Sequence, residues 1–239
     1  MTQLTGEAKA QYVRGLFSRI AGRYDLLNSV MTGRMHYRWK SRTARLAAQG
    51  VSGDALDVAT GTGDIAFRLS RRPGVRRVVG VDFAPPMLAI ASRRAEARPR
   101  GAPVAFLLGD ALTLPFPDAA FACVTTGFGL RNVASWDRML QEMHRVLAPG
   151  GRVCIMETTP VAPGGVMPRL FRFYFYRVVP LFGFLLAGDR EAYTYLPRSV
   201  EGFPPAEELA AMMRQVGFVY VSYTLVGFGT VAIHQGVKG

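Results

Sequence analysis

Ala55-Leu56-Asp57-Val58-Ala59-Thr60-Gly61-Thr62-Gly63-Asp64-Ile65-Ala66 is a short apolar run that passes straight into a glycine-bearing turn and then into a helical pattern. Gly61 and Gly63 let the backbone approach a ligand closely, and a helix starting behind them offers unpaired N–H groups to it. A strand, turn and helix of this kind hold a nucleotide-like cofactor. The string also satisfies Gly-x-Gly-x-x-Ala, the dinucleotide fingerprint, so alone it does not choose between nucleotide classes. Val79-Gly80-Val81-Asp82-Phe83 follows. Asp82 stands about 20 residues beyond the turn, where a carboxylate accepts hydrogen bonds from ribose hydroxyls; the plainer reading of it is a helix N-cap.

Working outward, apolar runs at Ala55 to Ala59, Val78 to Val81, Val104 to Leu108, Phe121 to Thr125 and Val153 to Met156 alternate with helical patterns. Such alternation predicts a parallel sheet with helices on both faces. The helices are expected at Asp64 to Arg72, Pro85 to Arg98 and Ser135 to Leu147, the last stopped by Ala148-Pro149-Gly150-Gly151. Upstream, Glu7 to Ile20 and Met31 to Gln49 read as basic helices with no sheet partner, a cover. Downstream, 158–203 breaks the alternation as an aromatic, arginine-bearing insertion, and a helix from Pro205 to Val216 precedes a final strand pair. The chain is expected to be one domain over 1–239: a cover (1–50), a cofactor-binding core (51–157), the insertion, and a C-terminal helix and strand pair (204–239).

The 239 residues, 49% hydrophobic and 19% charged, suit a globular domain with a sizeable core and exclude disordered, collagenous and coiled-coil classes. Mean hydropathy is high at +0.14, yet the longest stretch free of acidic and basic residues near the end, Gln215 to Val237, is β-branched, aromatic and punctuated by glycine. That is a strand pair, not a membrane span. The start of the chain has no apolar run behind basic residues, so the expected location is cytoplasmic. Cys123 and Cys154 sit in strand-like runs and are expected to be buried, reduced core thiols. His36, His144 and His234 show no metal-ligand spacing, and no metal is expected. The net charge of +12 is regional: residues 1–50 hold nine basic and two acidic side chains. Lys9, Lys40 and Lys238 are the only lysines, so arginine dominates. This is either a basic face for anionic headgroups or nucleic acid, or a compositional bias without function.

Further motifs follow the later strands. Gly109-Asp110-Ala111, with Leu114-Pro115-Phe116-Pro117-Asp118, sets an acid at a strand end where an adenine amino group could be held, and Leu147 to Val153 leads into strand five. With Asp57, this set resembles the ordered motifs of the S-adenosylmethionine-dependent methyltransferases of the Rossmann-like class. Tyr24-Asp25-Leu26-Leu27-Asn28, Met35-His36-Tyr37-Arg38-Trp39-Lys40, Gly127-Phe128-Gly129-Leu130-Arg131-Asn132-Val133 and Gly188-Asp189-Arg190-Glu191-Ala192-Tyr193-Thr194-Tyr195-Leu196-Pro197 resemble the menaquinone and ubiquinone biosynthesis C-methyltransferase family, from about Tyr12 to His234. Ala59, where many methyltransferases have glycine, fits that family.

The resemblance implies an α/β, Rossmann-like class I methyltransferase fold: a mostly parallel seven-stranded sheet with its last strand antiparallel, a helical cover and a helical insertion after strand five. It implies S-adenosylmethionine as methyl donor, bordered by Asp57, Thr60, Gly61, Gly63, Asp82, Asp110, Ala111 and Gly127. It implies a reduced isoprenoid quinone as acceptor, most simply demethylmenaquinol, with a ubiquinone precursor as the alternative. Arg131 and Asn132 are the candidates to contact the quinol oxygen; Arg131, always protonated, would stabilise a phenolate rather than remove the proton. Tyr24, Asp25, His36 and Tyr195 are the substrate candidates, with His36 or Asp25 as base. Three positions depart from the family pattern: Gly127, where serine is common, Arg198, where glutamate is usual, and Thr224, where asparagine is common. Because such a quinol carries a long apolar tail, Met167 to Ala187, which mixes three arginines with seven aromatic rings, is expected to lie at a membrane surface or wall a tail groove. Packing on the core, or a homodimer through that segment, is the competing reading. An RNA methyltransferase is disfavoured for want of an RNA-binding module, so no nucleic-acid partner is expected. A peripheral membrane-binding protein without turnover is the non-enzyme alternative.

Overall fold

The computed structural model describes residues 6–97, 101–160, 199–200 and 202–239. Met167 to Ala187, Tyr195 and Arg198 lie outside the described residues.

The expected strands are present, β3 with the bounds expected, β1 starting earlier and ending one residue sooner, and β2, β4 and β5 longer: β1 (Gly53–Val58), β2 (Val75–Asp82), β3 (Val104–Leu108), β4 (Phe121–Gly127), β5 (Leu147–Thr158), β6 (Phe218–Val226) and β7 (Val231–Lys238). They form one sheet in the order β3-β2-β1-β4-β5-β7-β6. β7 runs antiparallel to both of its neighbours and the other six strands are mutually parallel. The order reverses between β1 and β4, and the crevice beyond the carboxyl ends of the strands at such a reversal is where α/β sheets bind ligands.

The helices are α1 (Gly6–Ile20), α2 (Tyr24–Met31), α3 (Met35–Ala47), α4 (Asp64–Leu69), α5 (Pro85–Ala97), α6 (Trp136–Val146) and α7 (Ala206–Val216). Three expectations are corrected. The helix expected over Met31 to Gln49 starts only at Met35, and Met31 ends a separate helix, α2, because Gly33 and Arg34 take left-handed φ values of 53° and 64° and the Thr32 hydroxyl donates to the Asn28 carbonyl at 2.6 Å, closing α2. α3 is not a cover without a sheet partner: it packs on α4 and on β4, β5 and β7. Its Ala44 and Ala47 are fully buried with Cys123, Cys154, Met156 and Ile233, alanines being small enough to bring a helix of many arginines onto the sheet. The third concerns the stop of α6. The helix begins at a Ser135 cap, whose hydroxyl accepts from the Arg138 amide, but ends at Val146, before Ala148-Pro149-Gly150-Gly151. Those residues lie inside β5, whose register on β4 shifts after Leu147 pairs with Phe121, so the extra residues are absorbed in the strand.

α6 and α7 cover the opposite face, through Met139, Leu140, Met143, Leu209 and Met213. Burial pushes the Cys123 thiol up to about 12 and the Cys154 thiol higher still, so both are protonated core side chains. Among the described residues, no helix is long and apolar enough to cross a membrane, and no group of three His, Cys, Asp or Glu could hold a metal ion. The close approach of α3 gives a direct test. Ala47→Leu is expected to lower unfolding stability by about 1–3 kcal/mol in urea melts through overpacking, while Gln49→Leu, on the exposed surface, leaves it unchanged.

Candidate active site

β1 ends in the turn its sequence announced. Ala59, Gly61 and Gly63 all take left-handed backbone, with φ of 54°, 57° and 84°. A Cβ on Gly61 would meet nothing within 4 Å, so the turn is open on that side. The Gly61 amide donates to Asp82 Oδ2 at 2.7 Å, the Ala84 amide to Asp82 Oδ1 at 3.0 Å, and the Thr60 amide to the Val81 carbonyl. Asp82 therefore ties the turn to β2, and a carboxylate with two bonds accepted keeps acceptor capacity for a hydroxyl pair. Asp57, buried at the end of β1, accepts from the hydroxyls of Thr60 and Thr125, each at 2.7 Å. Burial pushes its carboxyl up to about 6 against the pull of those two donors. It organises the turn from beneath.

Next to Asp82, Asp110 lies exposed just beyond β3, its Oδ1 accepting from the Leu112 amide, while Ala111 is buried in the core. The loop that follows is held by Arg145, whose fork of donors reaches the carbonyls of Leu114 and Phe116 and the carboxylates of Asp118 and Glu142. Gly127, at the end of β4, is a close approach: a Cβ there would lie 2.5 Å from Ile65 Cδ1. Ile65 fills the space a serine would need. One residue before it, Thr126 has a buried hydroxyl with no partner among the described residues. An open turn, two strand-end carboxylates and an orphan hydroxyl at the switch point are a donor and acceptor set that fits S-adenosylmethionine.

Arg131 and Asn132 lie in a short helical turn after β4 (Leu130–Asn132) and are buried. Arg131 Nη1 pairs with Glu157 Oε1 at 2.5 Å and donates to the Phe128 carbonyl, and the Arg131 amide donates to Glu157 Oε2. Glu157 also accepts from the Thr158 amide. The Asn132 side chain donates to the same Phe128 carbonyl, and Phe128 sits in left-handed backbone. The Arg131 guanidinium is thus a fixed charge at the mouth of the switch point, oriented by Glu157. From α1, Lys9 donates to the carbonyls of Arg131 and Val133.

The substrate candidates of α2 meet this turn. Asp25 accepts from the Thr62 hydroxyl at 2.9 Å and pairs with Arg94 at 3.1 Å, so its oxygens join α2 to the glycine turn and to α5. Tyr24 is largely buried, which raises its phenol, and Lys40 and Arg131 act on it electrostatically. His36 is fully buried on α3; its Nδ1 bonds the Thr32 hydroxyl at 2.7 Å and its Nε2 has no partner among the described residues. Burial, with Lys40 adding to it, pushes the imidazole down to about 4, so it is neutral at pH 7. Thr224 lies exposed on β6 against Arg42.

The sequence reading missed Lys40, Asp64, Thr62, Arg94, Glu142, Arg145 and Glu157. Lys40 Nζ and Arg94 Nη2 clasp the Asp64 carboxylate at 2.7 and 2.6 Å. Glu142 could have been found, because it shares a helix face with Met139 and Met143, and a carboxylate on an apolar face must have a partner.

A solved structure from Thermotoga maritima, described as an S-adenosylmethionine-dependent methyltransferase and possible histamine N-methyltransferase, superposes with a TM-score of 0.63 at 19% identity, covering 95% of this chain and all of that one. The seven-stranded sheet with its flanking helices is thus a fold shared with that protein. Residues 5–238 match the ubiE/COQ5 methyltransferase family, and the chain belongs to it. It is 52% identical over 221 residues to a demethylmenaquinone methyltransferase of Thermus thermophilus, covering 92% of this chain and 99% of the relative. It is 39% identical over 230 residues to a ubiquinone/menaquinone biosynthesis C-methyltransferase of Dinoroseobacter shibae, covering 96% and 92%.

Two measurements test this geometry. Gly127→Ser is expected to destabilise by about 1–3 kcal/mol by driving a side chain into Ile65, and Ile65→Ala in the same chain is expected to make the serine nearly neutral relative to Ile65→Ala alone. The second concerns His36. Its folded pKa of about 4 lies below its unfolded value of 6.5, so its contribution to stability is complete above 6.5 and is lost as pH falls from there toward 4. The stability difference between wild type and His36→Gln is therefore expected to shift toward the variant by about 1–2 kcal/mol between pH 7 and pH 5. Asp57, raised in the fold, loses its contribution as pH rises over the same range, but it is present in both proteins and cancels.

Proposed function

We propose that this methyltransferase transfers the methyl group of S-adenosylmethionine to a ring carbon of demethylmenaquinol, the reduced acceptor of menaquinone biosynthesis. The observation that carries the acceptor is the 52% identity, over nearly the whole of both chains, to a demethylmenaquinone methyltransferase. Bound at the turn, S-adenosylmethionine supplies an electrophilic methyl group. The protein's share is alignment and charge. Asp57, Thr60, Gly61 and Gly63 shape the turn, Asp82 accepts from the ribose, Asp110 and Ala111 border the adenine, and Gly127 with Thr126 borders the remaining side.

On the acceptor side, Arg131 holds a positive charge for the quinol oxygen as it becomes phenolate-like and pushes electron density into the ring, and Asn132 fixes the direction of approach. Tyr24 shares that oxygen's surroundings and Tyr195 completes the acceptor site. Asp25, already engaged by Arg94 and Thr62, serves by holding α2 over the turn. His36, fully buried and with its imidazole pushed down to about 4, is too enclosed and too weak a base for a quinol hydroxyl, so its share is to pack α3, and the quinol proton passes to solvent. The apolar tail of the quinol sets the enzyme to work from the cytoplasmic side at a membrane surface, with Met167 to Ala187 as the contact.

The test is incubation with deuteromethyl S-adenosylmethionine and, in parallel, demethylmenaquinol and a ubiquinone-pathway quinol in detergent, read by mass spectrometry. Label is expected on the demethylmenaquinol ring. Label on the other quinol alone would move the acceptor to the ubiquinone pathway, the reading that the Dinoroseobacter relative represents. Arg131→Lys is expected to lower kcat about 100-fold or more while cofactor binding stays unchanged, the loss typical of removing a positioned transition-state donor. An unchanged kcat would remove Arg131 from the chemistry.

A further inference from the structure

A trough of arginines runs along the outside of α3 and α4, starting behind the cofactor turn, where Asp64 and Arg94 line it. Its upper part, about 730 Å³, is lined by Arg34, Arg68, Arg71 and Arg72 with Tyr37 and Phe67. It continues past Arg38 and Arg45 along α3 in a groove that shares Tyr37, Ser41, Arg68 and Arg72 with it, and a further groove meets it at Arg72. Arg38 and Arg45, seven residues apart, share one side of α3 about 10 Å apart at 1.5 Å per residue, and Arg34 stands at the N-cap of the same helix.

The charge in the trough is unbalanced. Asp64 is the one carboxylate lining it, and both its oxygens are occupied by Lys40 and Arg94. Among the described residues, Arg34, Arg38, Arg45 and Arg71 make no ion pair, and Arg72 Nε is buried without a hydrogen-bond partner. The Arg68 guanidinium is pushed below its ordinary value chiefly by burial, with Asp64, 3.7 Å away, acting against that and the positive charges of Arg94 and Arg71 acting with it. So many like charges side by side repel one another, and an anion removes the repulsion.

The aromatic rings settle what kind of anion. A nucleic-acid strand is gripped by stacking bases on free aromatic faces, but Tyr37 is flanked by Arg34 and Arg68, at 5.8 and 5.5 Å from its ring centre, and Arg94 lies over Phe67 at 5.3 Å. Among the described residues, both aromatic rings that line the trough are thus already engaged by guanidinium groups. Beside Arg34, at the α2–α3 turn, Val30 and Met35 are exposed, with Leu26 one turn earlier. Aliphatic side chains at the rim of a guanidinium cluster match the boundary between phosphate headgroups and acyl chains.

We propose that this trough is a binding surface for the phosphates of an anionic lipid bilayer, with Leu26, Val30 and Met35 as its shallow apolar contact. It is independent of Met167 to Ala187 and of the identity of the methyl acceptor. Because α2 is held to the glycine turn through Asp25 and Thr62, a bilayer seated here lies beside the mouth of the active site.

The experiment is co-sedimentation of the full chain with vesicles of phosphatidylcholine alone and of phosphatidylcholine mixed with phosphatidylglycerol, repeated for Arg38→Gln/Arg45→Gln/Arg71→Gln. These three side chains are exposed and touch nothing in the cofactor or acceptor site. The wild type is expected to bind the mixed vesicles, with salt releasing it. The triple variant is expected to bind them about 100-fold more weakly, at about fivefold per guanidinium near the surface, with melting temperature and S-adenosylmethionine binding unchanged. Equal binding to neutral and anionic vesicles, or a triple variant that binds as tightly as wild type, would overturn the proposal. So would displacement from mixed vesicles by millimolar inorganic phosphate, which would make the trough a site for a free anion, or arginine-dependent binding of a short RNA in place of vesicles. A failure here with quinol methylation intact would leave the proposed function standing.

Discussion

The carboxylate of Asp64, the first residue of α4, is the joint on which the cofactor end of the molecule depends. Burial alone would raise its pKa, but Lys40 from α3 and Arg94 from α5 outweigh that and hold it well below the ordinary carboxylate range. Its place at a helix N-terminus adds to the effect. Arg94 then continues to Asp25 on α2 and to the Thr62 carbonyl in the turn. One carboxylate thereby joins three helices to the segment that receives the cofactor. A buried pair of this kind contributes little net stability compared with an apolar replacement, but an unpaired partner costs several kcal/mol. The network therefore fixes an arrangement more than it strengthens the fold.

The same device recurs at the other strand ends. Glu157, on β5, holds both the side chain and the amide of Arg131. Glu142, on α6, holds the Leu114 amide and two donors of Arg145. In each case an arginine satisfies a buried acid and uses its remaining donors on loop carbonyls, which a lysine with its single nitrogen centre does less well. The three lysines go where one point donor suffices: Lys9 on two carbonyls, Lys40 on Asp64, Lys238 on the Arg145 carbonyl.

Much of the fold was legible because a parallel strand buried on both faces is a plain apolar run, and the glycine turn follows β1 without a gap. The sheet-facing role of α3 was hidden, since its buried side is written in alanines and its charge dominates any reading of polarity. The break at 32–34 was hidden too, because Arg34 carries no sign of its left-handed backbone. In the site, contiguous strings such as Gly127 to Val133 pointed to Arg131 and Asn132, whereas Asp64, Arg94 and Glu157 act through partners 24 to 30 residues away, a separation that only the fold closes. At Gly127, where the family commonly has serine, the packing shows what the sequence does not: Ile65 occupies the volume a side chain would take.

The placement of β7 between β5 and β6 bears on how the chain assembles during synthesis. β1 to β5 can pair as they emerge, each adding to an edge already formed. β6 cannot, because its one neighbour among the described strands follows it in sequence. Until Val231–Lys238 leaves the ribosome, β5 keeps an unsatisfied edge and the aromatic strand β6 has nothing to bind, a state that invites pairing with other chains. The cofactor half of the sheet can thus be complete while the C-terminal half still waits for its keystone.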